Sequence, residues 1–148
     1  MDTNQVIKSL EDIIESLRQQ KSEIDYKTLS IGDVLPDGSV VVYKEAAELL
    51  IAAPQETEVE CSWSEEFSPV FNKLKEKGFN PDEWFIPNVG QLYLAYVYNQ
   101  KAFASAYYWS STEASSTTSC FVGFVTGSQT TDSRASTLCV RAFRRVIL

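Results

Sequence analysis

The sequence predicts an α+β domain built on an antiparallel sheet with two helices, preceded by an amphipathic helix. Three observations predict it. Apolar residues recur at helical spacing from Val6 to Leu17; β-rich runs separated by turn residues occupy 40–43, 106–110, 119–126 and 137–146; and two helix start signals, at Ser68 and Asn88, fall between those runs.

In chain order, Val6, Leu10, Ile13, Leu17 and Ile24 step by four, three, four and seven, with Gln20 at the skipped position. This is a heptad seam, and the charged residues between predict an amphipathic, coiled-coil-like helix over 3–26 with a narrow apolar stripe. At about three heptads such a helix is marginal alone in water. Two arrangements answer the stripe: copies of the chain associate into a homo-oligomer, or the helix packs back on its own globule. The Ile-rich centre of the seam is compatible with a trimer. Residues 1–28 are therefore expected to be an oligomerising helix and 29–148 a display domain.

The domain opens on a turn, Ile31 to Ser39, punctuated by Pro36 and Asp37-Gly38, and continues as a strand at Val40–Tyr43. Residues 44–53 suit a short helix or a buried strand, and the unbroken apolar run over 49–53, closed by Pro54, favours strand. Ser68 as cap with Pro69 at the first helical position, and Lys73, Lys75 and Lys77 before Gly78, predict a helix over about 69–77. Asn88 with Gln91 forms a capping-box pattern that predicts another over about 89–99. Three strands follow, with a Ser/Thr-rich loop over 111–119 and a connection over 127–133.

Composition excludes several function classes. The net charge of −7 divides into −10 over residues 1–85 and +3 over 86–148, and only Arg141, Arg144 and Arg145 cluster as bases. They read as solvated or paired strand residues, so no nucleic-acid partner is expected. No apolar run approaches the ~20 residues a membrane helix needs, and charges throughout residues 1–30 interrupt any secretory core. Synthesis in the cytoplasm without a signal peptide or membrane insertion is expected. The chain has no His, which removes the usual hydrolytic triads, and it carries no phosphate-binding glycine loop. Glu65-Glu66, an adjacent carboxylate pair, reads as favourable charge at a helix start. Cys61, Cys120 and Cys139 show no zinc spacing and read as reduced core thiols, although Cys120 and Cys139 sit in consecutive β-rich runs and could face each other. No catalytic residues, metal or cofactor are assigned.

Five motifs in order carry a resemblance: Gly32-Asp33 with Val41-Val42-Tyr43; Leu50-Ile51-Ala52-Ala53-Pro54 ahead of Trp63; Trp84-Phe85-Ile86-Pro87 with Gln91-Leu92; Tyr108 to Glu113; and Val140 to Arg144. Over about residues 31–146 the chain resembles the Lcl-type domain family, the C-terminal domain of a collagen-like bacterial adhesin, with a C-type-lectin-like fold related to formylglycine-generating enzymes. Phe85 and Gln91 depart from the family's Arg and Glu. The resemblance implies that the first and last strands pair and that the loops between Ser111 and Arg134 share one surface. The enzyme relatives' cysteine surroundings and the calcium-binding motifs of true C-type lectins are absent here, and shared fold does not carry chemistry.

The expectation that follows is a non-enzymatic binding or adhesion module, a phage virion or tail-fibre component recognising a host surface glycan or protein. Its alternative is a structural cap or adaptor among other virion proteins. Ligand contacts are expected from Tyr107 and Tyr108, from a rim of Ser111, Thr112, Ser115, Ser116, Thr117 and Thr118, and from Gln129, Thr130, Thr131 and Asp132. Aromatic faces supply rigid contact area, and short polar side chains supply adaptable hydrogen bonds. Trp109 reads as a core pillar.

Overall fold

A computed structural model describes residues 2–22 and 24–148, with the side chains of residues 17–22 outside the description. Helix α1 spans Thr3–Ser22. Asp2 Oδ1 accepts from the Gln5 N–H at 2.8 Å and satisfies one of the free donors of the first turn. The helix stops short of the predicted residue 26. Asp25 caps a separate helical turn, Tyr26–Thr28, by accepting from the Lys27 N–H, and Ile24 packs on the globule's core. Ile24 is thus a core residue and not the end of the seam. The seam positions Leu17 and Gln20 lie outside the described side chains. Every α1 side chain from Thr3 to Ser16 is exposed, so this stretch does not pack back on the globule.

The globule carries strands β1 (Val40–Lys44), β2 (Glu48–Ala52) and β3 (Val59–Cys61), helices α2 (Ser68–Glu76) and α3 (Val89–Asn99), then β4 (Tyr107–Glu113), β5 (Thr118–Gly123), β6 (Gln129–Ser133), β7 (Leu138–Val140) and β8 (Phe143–Ile147). One sheet has the order β1-β2-β8, the other β3-β7-β4-β5-β6. All pairs are antiparallel except β4 with β7, which run parallel at Tyr108 and Cys139. The α+β class with an antiparallel framework and two helices after α1 therefore holds.

Strand β2 explains the apolar run. Leu49 and Ile51 enter a core with Val41, Trp63, Phe67 and Trp109, whereas Leu50 and Ala52 enter a second with Val42, Leu92, Tyr108 and Phe143. Successive strand residues point to opposite faces, so a strand buried on both shows no polar alternation. Helix α2 covers the first core with Val70 and Leu74, and α3 covers the second with Leu92 and Ala95. Each large aliphatic buried this way contributes roughly 1.5–3 kcal/mol.

Four local expectations are corrected. The first and last strands do not pair: β2 lies between them, Ile51 facing Val41 on one side and Arg144 on the other. The single strand expected over 137–146 breaks at Arg141-Ala142, where the chain leaves the five-stranded sheet as β7 and joins the three-stranded one as β8. Ser68 does not cap α2. Phe67 holds that position at φ 45° with its ring buried, and Ser64 Oγ accepts from the Phe67 N–H at 3.0 Å. The stretches read as loops are largely strand: 111–113 extend β4, 129–133 form β6, and the turn between β4 and β5 is only 114–117. The capping box at Asn88 and Gln91 forms as predicted, with both reciprocal bonds present.

Candidate functional site

The sequence-chosen residues fall into three settings. At the end of the β4–β5 hairpin, Ser115, Ser116 and Thr117 are exposed and Thr118 is half-buried. Ser115 Oγ lies 2.6 Å from Thr118 Oγ1 and accepts from the Thr117 and Thr118 N–H groups at 3.2 and 3.1 Å, closing the turn on itself. Arg134, just beyond β6, pins it from outside. Its Nη2 donates to the Ser115 carbonyl at 2.5 Å and meets Glu113 at 3.5 Å, while its guanidinium lies 4.3 Å from the Trp63 ring centroid. Among the described residues, the hydroxyls of Ser116 and Thr117 have no side-chain or backbone partner. They stand free on a turn held by its neighbours.

The β6 residues belong to the same sheet but to two faces. Thr131 stands opposite Cys120 and Gln129 opposite Val122, whereas Thr130 faces Phe121 and Asp132 faces Ser119. The period of two along a strand sends these two pairs to opposite sides. Tyr107 lies at the far end of β5 from the turn: it pairs with Gly123, and its ring meets the Phe121 edge at 5.3 Å. A Cβ on Gly123 would stand 2.9 Å from that ring, so the glycine makes room for it. Beside Tyr107, where β4 and β7 diverge, a groove of about 270 Å³ is lined also by Glu60, Ser105, Thr137 and Cys139. Tyr107 and the hydroxyl turn are therefore separate surfaces, not one.

Tyr108, Ser111 and Thr112 do other work. Tyr108 is fully buried; its hydroxyl donates to Glu58 Oε1 at 2.8 Å and accepts from the Ala104 N–H at 3.1 Å. Burial beside the Glu58 carboxylate pushes the phenol well above its usual range. Thr112 Oγ1 accepts from the Val89 N–H at 2.9 Å, tying β4 to the start of α3. Ser111 lines a different groove with Asn88, Gln91 and Arg145. Trp109 is the core pillar expected, with no exposed surface.

Glu58 and Arg141 were not legible as a site. Arg141 is 3% exposed, donates to the Ala53 and Ala102 carbonyls at 2.5 Å each, lies 3.4 Å from Glu58 and sits over the Phe103 ring. Burial lowers the Arg141 pKa, and burial raises that of Glu58 against the pull of Tyr108 and Arg141. The Tyr108 hydroxyl, Glu58 Oε1 and Arg141 Nε and Nη1 are all engaged within the protein, which makes this knot a structural tie. Arg144 and Arg145 are also paired, with Glu83 at 3.7 Å and Glu48 at 2.6 Å. Each arginine of the cluster thus has a carboxylate partner.

Cys61, Cys120 and Cys139 are free thiols, and β4 stands between the strands that carry Cys120 and Cys139. Among the described residues no three acidic, His or Cys side chains group to hold a metal, and no helix is long and apolar enough to cross a membrane. Compared with known proteins, the chain matches no family model and no curated protein.

Proposed function

We propose that the chain is a non-enzymatic binding and adhesion module with a C-type-lectin-like fold of the Lcl type, which presents the 114–118 turn to a host surface glycan or protein as part of a phage virion or tail fibre. The observation that carries this reading is the pair of free hydroxyls at Ser116 and Thr117 on a turn locked by Ser115, Thr118 and Arg134. A rigid polar tip loses little conformational entropy on contact, so hydrogen bonds made by its side chains count almost fully toward affinity. The ties from Arg134 to Ser115, Glu113 and Trp63 supply the stiff support around it.

The test is the double variant Ser116→Ala/Thr117→Ala, assayed on immobilised bacterial surface polysaccharides and on intact cells. The expected result is a loss of adhesion of about tenfold or more, the scale of one or two hydrogen bonds, with an unchanged melting temperature. Unchanged adhesion overturns the reading. Intact adhesion combined with failed particle assembly would place the chain among structural caps.

A further inference from the structure

We infer that α1 assembles four copies of the chain into a parallel helical bundle. Val6, Ile7, Leu10, Ile13 and Ile14 are each 42–55% exposed, a continuous apolar face in contact with water. Such a face on a solvated helix is the signature of an interface. This inference stands whether or not the 114–118 turn binds a ligand.

The occupant is a second copy because the pattern is that of a self-associating seam. In heptad terms Leu10 and Leu17 occupy a, Val6 and Ile13 occupy d, and the residues pointing outward, Lys8, Glu11, Asp12 and Glu15 among them, are charged. Leu at a with β-branched residues at d favours higher-order bundles over pairs. The number is refined by Ile7 and Ile14 at e, which add a third apolar column. A two-stranded seam covers a and d alone and would leave these isoleucines wet; a bundle of more strands gives each helix a neighbour on both sides. The Ile-rich seam alone would suit three strands, and Leu at a together with the filled e column decides for four.

Orientation follows from size complementarity. Ser9 and Ser16 occupy g. In a parallel bundle g of one helix faces e of the next, so each small serine makes room for a neighbour's isoleucine. An antiparallel arrangement would set serine against serine at one seam and isoleucine against isoleucine at the next, losing that size match. The parallel bundle places all four globules at one end, which multiplies weak single contacts into avidity.

Light scattering of the full chain at about 50 µM, a concentration that favours association, should give four times the 16.6 kDa chain mass. A mass of one, two or three chains overturns the inference. Ile7→Ser/Ile14→Ser should lower the assembly below four while the globule's melting stays unchanged, since no residue of Thr3–Ser16 belongs to either core; persistence of the four-chain mass would remove α1 from the interface. Val6→Cys should form a reducible cross-linked dimer band absent from the wild type. Its failure to form would overturn the parallel order.

Discussion

Arg141 and Glu58 meet at 3.4 Å at the place where the chain crosses from one sheet to the other, with Tyr108 closing the pair. Breaking a buried pair by removing one member leaves the other charge without compensation, which costs more than the pair ever contributes. Arg141→Met should lower stability by about 3–5 kcal/mol, since the Ala53 and Ala102 carbonyls lose their donor along with Glu58. Urea unfolding measures it. Arg141→Lys should recover only part, because an ammonium cannot serve three acceptors in the fork geometry.

Stability should also respond to pH through Glu58. Burial holds its carboxyl above the ordinary 4.5, so in the window just above that value the folded chain keeps a proton that the unfolded chain releases. The contribution of this group therefore falls as pH rises through the window and levels off once the folded carboxyl has ionised. Glu58→Gln should remove that slope. Unfolding midpoints from about pH 4 to about pH 8 in the two proteins test it, and parallel curves would refute it.

The thiols should behave as three independent, half-buried groups. Burial, reinforced by Glu58 and Glu60, pushes Cys139 up to about 11, and burial alone raises Cys61. Iodoacetamide at neutral pH should label Cys139 slowly, with the rate climbing toward its raised value, because the thiolate is the nucleophile. Reductant should leave the urea midpoint unchanged. A shift on reduction would mean that Cys120 and Cys139 pair despite the strand between them.

Gly127 adopts φ +75°, and a Cβ there would lie 2.3 Å from the Tyr96 ring. Gly127→Ala should therefore destabilise by more than about 1 kcal/mol, combining a left-handed backbone with a clash. Adding Tyr96→Ala should relieve the clash and leave the backbone penalty. The two changes are expected to be clearly non-additive in thermal melts.

Thr112 separates support from contact. Thr112→Val removes the acceptor for the Val89 N–H and should cost about 1 kcal/mol in stability. Adhesion per folded molecule should stay constant. A selective loss of adhesion would return Thr112 to the binding surface.

What could be read in advance follows from how local each signal is. The capping box at Asn88 and Gln91 and the apolar strand over 49–52 were legible because both are written in consecutive residues. Strand β6 was not: Gln129 to Ser133 is polar throughout, and it is a strand because it pairs with β5 at the sheet's edge. The helix end at Ser22 escaped the periodicity because Ile24 keeps the heptad count while packing on the globule. For the site, exposed hydroxyls in the 114–117 turn were foreseen, whereas the role of Arg134 was hidden, since its partners Glu113, Ser115 and Trp63 lie far away in sequence. Tyr108 and Trp109 are neighbours of similar composition, and both turn inward to different cores.

The position of β2 between β1 and β8 has a consequence for biosynthesis. One flank of that central strand stays without its partner until residues 143–147 have emerged from the ribosome, more than ninety residues after β2 itself. The three-stranded sheet cannot close before that point, and a nascent chain must carry an open, largely apolar β2 edge until then. Release of the last strand, not the appearance of the first, is the event that completes the globule.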